Sequence, residues 1–142
     1  MAHYGEFEIR IRSYLKDLLN RGTVHLISSD VSPENMGNAQ VVIGLENARI
    51  RFVRDRSHES MDIAPIEGPT DWFDFSLLAH ALTGDIITKQ PSIEELTQVL
   101  EAKLEAINNM FSVHRLDATI SQLKEKERLR FQKMFGGESE IS

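Results

Sequence analysis

Residues 39–63 read AQVVIGLENARIRFVRDRSHESMDI, and this stretch sets the architecture. Ala39, Val41, Ile43 and Leu45 alternate with Gln40, Val42 and Gly44. Ala48, Ile50 and Phe52 alternate with Arg49, Arg51 and Val53, and Met61 and Ile63 alternate with Ser60 and Asp62. A period of two places each apolar set on one side of a strand. The links Glu46-Asn47 and Arg56-Ser57-His58 are short and polar; antiparallel neighbours need only such a tight turn, whereas parallel ones need a long crossover. The expectation is an antiparallel meander with one apolar face that neighbouring helices must cover.

Upstream, Phe7, Ile11, Leu15 and Leu18 recur at helical spacing over Glu6–Asn20, and Gly22 stands where a left-handed residue closes a helix. Thr23–Ser28, rich in β-branched residues, reads as a fourth strand running into a loop. Downstream, Pro65, Gly68 and Pro69 end the sheet. Asp71 then stands at the cap position of a helix whose Trp72, Phe75, Leu78 and Leu82 face inward and which Gly84 stops. Ser92 and Glu95 have capping-box spacing before a long stripe from Leu96 to Phe111. A last helix, about Leu116 to Phe135, carries a sparser pattern around Lys124-Glu125-Lys126-Glu127-Arg128. The reading is an α+β fold: a meander of three to four strands against one N-terminal and three C-terminal helices. Residues 1–135 form one domain and 136–142 a flexible C-terminal tail.

At 142 residues with 41% hydrophobic and 27% charged side chains, the chain can bury a core without staples. It has no cysteine, which excludes thiolate catalysis, zinc ribbons and iron–sulfur clusters and fits a reducing compartment. The net charge of −6 disfavours nucleic acid and anionic membranes. That charge is uneven: −7 over residues 1–112, +3 over 113–135 and −2 over the tail. No apolar run approaches the roughly 18 residues of a membrane span, and the N-terminus lacks signal-peptide character, so a cytoplasmic protein is expected. No phosphate-cradling glycine pattern, HExxH or GxSxG occurs, and the five histidines are scattered. No cofactor, metal or catalytic residue is assigned.

The unusual local feature is Arg49, Arg51, Arg54, Asp55 and Arg56, four arginines in eight residues of an acidic chain. On the solvent side of the middle strand, Arg49 and Arg51 can grip a partner's carboxylates or phosphates. Equally, arginines there pair across the sheet with acids such as Asp62, and Arg54 or Arg56 ties down Asp55 and the turn. Trp72 either anchors its helix on the core with Phe75, leaving Phe73 to pack on the Pro65–Pro69 loop, or serves as a partner-facing anchor. A polar pocket between sheet and helices would draw on His58, Asp62 and Trp72, with Asp55 beside His58. The long stripes of the third and fourth helices also suit a homodimer.

From Gly37 to Gly84 the sequence resembles a group of small, uncharacterised bacterial α+β proteins, some of them immunity proteins of polymorphic toxin systems. The matching segments are Gly37-Asn38-Ala39, Arg51-Phe52-Val53-Arg54-Asp55-Arg56, Met61-Asp62-Ile63 and Trp72-Phe73-Asp74-Phe75, leading to Leu82 and Gly84. The resemblance covers about a third of the chain. It implies a non-enzymatic cytoplasmic protein that binds and blocks a toxin, with acidic surface set against basic nuclease toxins, and it transfers no residue role.

Overall fold

A computed structural model describes residues 5–31, 38–56, 58–66, 71–84 and 91–141, except the side chains of Val31 and of residues 134–141. Gly37, Ser57, Gly68 and Pro69, singled out above, lie outside the described residues, as do the N-terminal Met1–Tyr4 and Ser142. The order is α1 (Glu6–Tyr14), α2 (Lys16–Arg21), β1 (His25–Val31), β2 (Ala39–Gly44), β3 (Ala48–Asp55), β4 (His58–Pro65), β5 (Phe73–Asp74), α3 (Phe75–Thr83), α4 (Ile93–Ala102), α5 (Leu104–Met110) and α6 (Leu116–Ile141). The fold is α+β.

The strands form one antiparallel sheet in the order β1-β2-β3-β4-β5. The meander is thus present with five strands. Its inner face carries Val41, Ile43, Ile50, Phe52, Met61, Ile63 and Phe73, each at most 2% exposed. Against it pack Phe7, Ile11, Leu15 and Leu18 from the N-terminal helices, Phe75 and Leu78 from α3, Leu100 from α4, Ile107 from α5 and Leu123 from α6. All described helices with core residues therefore serve the inner face. The opposite face of the sheet is the outer face.

Local chemistry places these elements. Gly22 and Gly84 close α2 and α3 at φ 76° and 73°, the left-handed region that only glycine enters without strain. Ser92 accepts from the Glu95 amide while Glu95 accepts from the Ser92 amide, the reciprocal capping box the spacing implied. Ser92→Ala is expected to lower stability by about 1 kcal/mol, read as a denaturant midpoint shifted without a change of slope. Asn47, in the β2–β3 turn, bonds Asn108 of α5 twice, its amide to Oδ1 at 3.1 Å and its Nδ2 to the carbonyl at 2.8 Å. Glu8, 2% exposed, accepts from Ser29 of β1 and from Arg12, which fixes α1 on the sheet.

Five details differ from the sequence reading. The N-terminal helix breaks at Leu15 (φ −104°, ψ 12°), and the long third helix breaks at Lys103 (φ −115°, ψ 20°). The last helix does not stop near Phe135; its backbone stays helical through Gly136 and Gly137 to Ile141. Asp71 does not cap α3. Asp74 does, its Oδ1 accepting from the Ser76 amide at 2.9 Å. Finally, Phe73-Asp74 is a strand and not the first turn of a helix, so the side chains alternate: Phe73 is buried in the core and Trp72 is only half-buried. The inward-facing Trp72 and the displaced Phe73 are corrected together.

Candidate functional site

The pairing register lays the outer face out in cross-strand rows. In one row His25 of β1 is opposite Gly44, Gly44 opposite Arg49, and Arg49 opposite Ala64. Since Asp62 pairs with Asp74 and Ile63 with Phe73, continuing that register puts Trp72 beside Ala64. In the next row Ser28, Val42, Arg51, Asp62 and Asp74 follow one another. Small and flat residues alternate in the first row, which explains its shape.

A Cβ at Gly44 would stand 2.6 Å from the His25 ring, so the imidazole lies over this glycine. Ala64 is 0% exposed although it faces outward. Its short side chain leaves space above β4, and Trp72 reaches across toward β3. There the guanidinium of Arg51 lies 4.4 Å from the indole centroid and that of Arg49 lies 5.1 Å away. One indole thus carries two cations, each a contact worth about 0.5–1 kcal/mol where exposed and more where water is excluded. Arg51 is also held by Asp62, with Nη2 and Nε donating to one carboxylate oxygen at 2.8 and 3.2 Å. Arg49 donates from Nε to the Pro65 carbonyl at 3.0 Å. Its buried Nη2 has no hydrogen-bond partner among the described residues.

The second row sets charges close together. Burial raises the Asp62 carboxyl above the ordinary aspartate range, Arg51 pulls it back down through hydrogen bonding and charge, and neighbouring Asp74 pushes it up again. Asp74 has its own cation: Arg130 of α6 donates to Oδ2 at 3.1 Å. Each of these two carboxylates therefore faces one arginine, while Arg49 has a carbonyl and an indole but, among the described residues, no carboxylate.

Of the residues that the sequence singled out, Arg49, Arg51, Asp62 and Trp72 meet on this face. The cross-strand pairing of Arg51 with Asp62 is present as expected. Arg54, Asp55, Arg56 and His58 do not join them. Arg54 Nε donates to the Arg56 carbonyl at 3.3 Å, and the Arg56 amide donates to Asn38 Oδ1 at 2.7 Å, so these residues organise the β3–β4 turn. Arg56 sits there at φ 60°, a strained value for a non-glycine residue. His58 pairs in register with Asp55, four positions along β4 from Asp62 and so roughly 13 Å away. The proposed convergence of His58, Asp62 and Trp72 is corrected: His58 stands at the start of β4, beside the β3–β4 turn, and the other two lie further along the sheet. His25, Asp74 and Arg130 were not anticipated. The signal for the first was Gly44 on an outward position, where a small residue invites a neighbour to fold over it; Arg130, far along the chain, left none.

Among the described residues no group of three His, Asp or Glu is placed to hold a metal ion, and no helix is long and apolar enough to cross a membrane. What the arrangement can do is present a rigid, amphipathic platform. The indole and guanidinium planes are pre-ordered by one another and by Asp62, so little side-chain freedom remains to be lost on contact. No protein-family model matches the chain, and neither a curated protein nor a solved structure shows significant similarity to it.

Proposed function

We propose that this chain is a non-enzymatic protein-binding module that docks its partner on the outer face of the sheet, with Trp72 as the anchor and Arg49 and Arg51 as its flanks. The observation that carries the reading is the stacking of two guanidiniums on a half-buried tryptophan that takes no part in the core. Tryptophan and arginine are the residues most enriched at the energetic centres of interfaces. The role is that of an immunity protein in a bacterial cytoplasm that binds and blocks a toxin. A net charge of −6 attracts a basic toxin at long range, and the platform supplies the short-range contact. The alternative, a small-ligand or enzyme site between sheet and helices, needs a polar cleft there. Phe7, Phe52, Phe75, Leu78 and Leu100 occupy that layer, each at most 1% exposed, which supports the outer-face reading.

Trp72 is the single tryptophan of the chain, so it is also the probe. Protein retained from a lysate of the source cells by immobilised wild type is identified by mass spectrometry and purified. It is then added to chain labelled with 5-fluorotryptophan. The fluorine resonance is expected to shift on binding. Trp72→Ala is expected to weaken the complex at least a hundredfold, about 3 kcal/mol. Val113→Ser, at a residue 91% exposed, is expected to leave affinity unchanged. A saturated complex with an unmoved fluorine signal would place the interface elsewhere.

A further inference from the structure

We propose that two copies of this chain associate through the free edge of β1, pairing antiparallel about a two-fold axis that passes between Ile27 and Ser28. In the sheet order β1 lies at one end, so the side of the strand away from β2 is unpaired by any described strand. An unpaired edge carries a row of N–H and C=O groups ready to accept another strand. Natural edges are blunted by proline, lysine, brevity or a bulge; β1 has seven residues, HLISSDV, with neither lysine nor proline, and of these devices carries only the bulge at Ile27. Leu26 and Ile27 stand on it 37% and 46% exposed, which is high for large apolar side chains.

A second copy is the occupant because the edge fits itself in one register. The pairing of β1 with β2 skips Ile27, a bulge. His25, Ser28 and Asp30 pair with outer-face residues of β2, and Leu26 and Ser29 with inner-face residues. Ile27 lies on the outer side, its Cδ1 3.1 Å from where a Gly44 Cβ would be. The bulge thus reverses the alternation halfway along the strand. Residues directly opposite in antiparallel strands must share a face. A two-fold axis through Ser28 breaks this rule, since it sets outward Ile27 against inward Ser29. An axis between Ile27 and Ser28 keeps it throughout: His25 faces Asp30 of the partner copy, Leu26 faces its Ser29, and Ile27 faces its Ser28. The two Ile27 positions become diagonal neighbours at the centre, and a histidine position is set opposite an aspartate position at each end. The outer faces of both copies then lie on the same side of one continuous sheet.

A seven-residue strand pair is a small interface, so association is concentration-dependent. Sedimentation velocity of the full chain is expected to show a monomer–dimer equilibrium. Ile27→Lys is expected to raise the dissociation constant at least tenfold. Asp30→Arg, which sets a cation against His25, is expected to do the same. The double variant His25→Asp/Asp30→Arg, which swaps the pair, is expected to restore association. Circular dichroism and thermal melts confirm that each variant is folded. A chain that stays monomeric at millimolar concentration overturns the proposal. So does a dimer indifferent to Ile27→Lys, which would lie on another face, and so does a double variant as weak as Asp30→Arg alone. Trp72→Ala is expected to leave the dimer intact, so this test and that of the outer-face reading fail separately.

Discussion

Phe52→Ala is expected to cost about 4 kcal/mol, the largest single loss on the sheet. Phe52 sits at the middle of β3, 0% exposed, opposite Val41 on one side and Met61 on the other. Removing the ring forfeits its transfer energy and leaves a cavity that a sheet bonded on both sides cannot collapse around. Against a typical total of about 5–15 kcal/mol, such a loss brings the variant near to unfolding at physiological temperature. Urea denaturation followed by far-UV circular dichroism measures it. The variant also separates stability from binding. Phe52 faces away from Trp72, so the folded fraction is expected to bind a partner as wild type does, and weaker binding by that fraction would show that the outer platform depends on the packing beneath it.

How much of this was legible in the chain depends on which elements state their period. Strands β2, β3 and β4 each carry enough alternating residues for a period of two to be unmistakable, and their links are too short for anything but hairpins. Phe73-Asp74 is two residues long, too short to display any period. Trp72 and Phe75 happen to be three apart, which matches a helix equally well, so tertiary pairing with β4 alone decides that Phe73 points in and Trp72 out. The breaks at Leu15 and Lys103 occur at residues with no propensity to stop a helix, and the signals that would have stopped α6, Gly136 and Gly137, did not stop it. Arg49, Arg51 and Asp62 were readable because strand position and charge suffice to place them. The contact of Trp72 with both arginines was not, because it depends on Ala64 leaving room across an intervening strand. Arg130 meets Asp74 only through the packing of α6 on α3, which no local pattern encodes.

Arg51→Ala tests the outer face as Phe52→Ala tests the inner one, from the adjacent position on the same strand. At neutral pH it is expected to cost about 2–3 kcal/mol, because it removes a stacking partner of Trp72 and leaves a largely buried carboxylate without its cation. The Asp62 side chain is only 19% exposed, so water does little to replace the lost pair. The pH dependence identifies the cause. In the wild type the folded carboxyl already binds its proton more tightly than the ordinary aspartate of the unfolded chain, burial being the main reason. A raised carboxyl makes the folded state hold more protons than the unfolded state, so stability from this group falls as pH rises from the ordinary aspartate value through the raised one. Without Arg51 both influences that lower this carboxyl disappear, while burial and Asp74 remain. It rises further, and the fall becomes deeper and reaches to higher pH. The difference between wild type and variant is therefore expected to be largest near neutrality and to shrink to about 1 kcal/mol below the ordinary aspartate value, where Asp62 is protonated in both states and only the stacking on Trp72 is lost. Denaturant midpoints across that range measure the difference; a constant gap would assign the whole effect to Trp72 and none to the ion pair. Asp62→Asn in the Arg51→Ala background completes the cycle: it removes the stranded charge and is expected to recover the pH-dependent part at neutral pH, leaving the stacking loss behind.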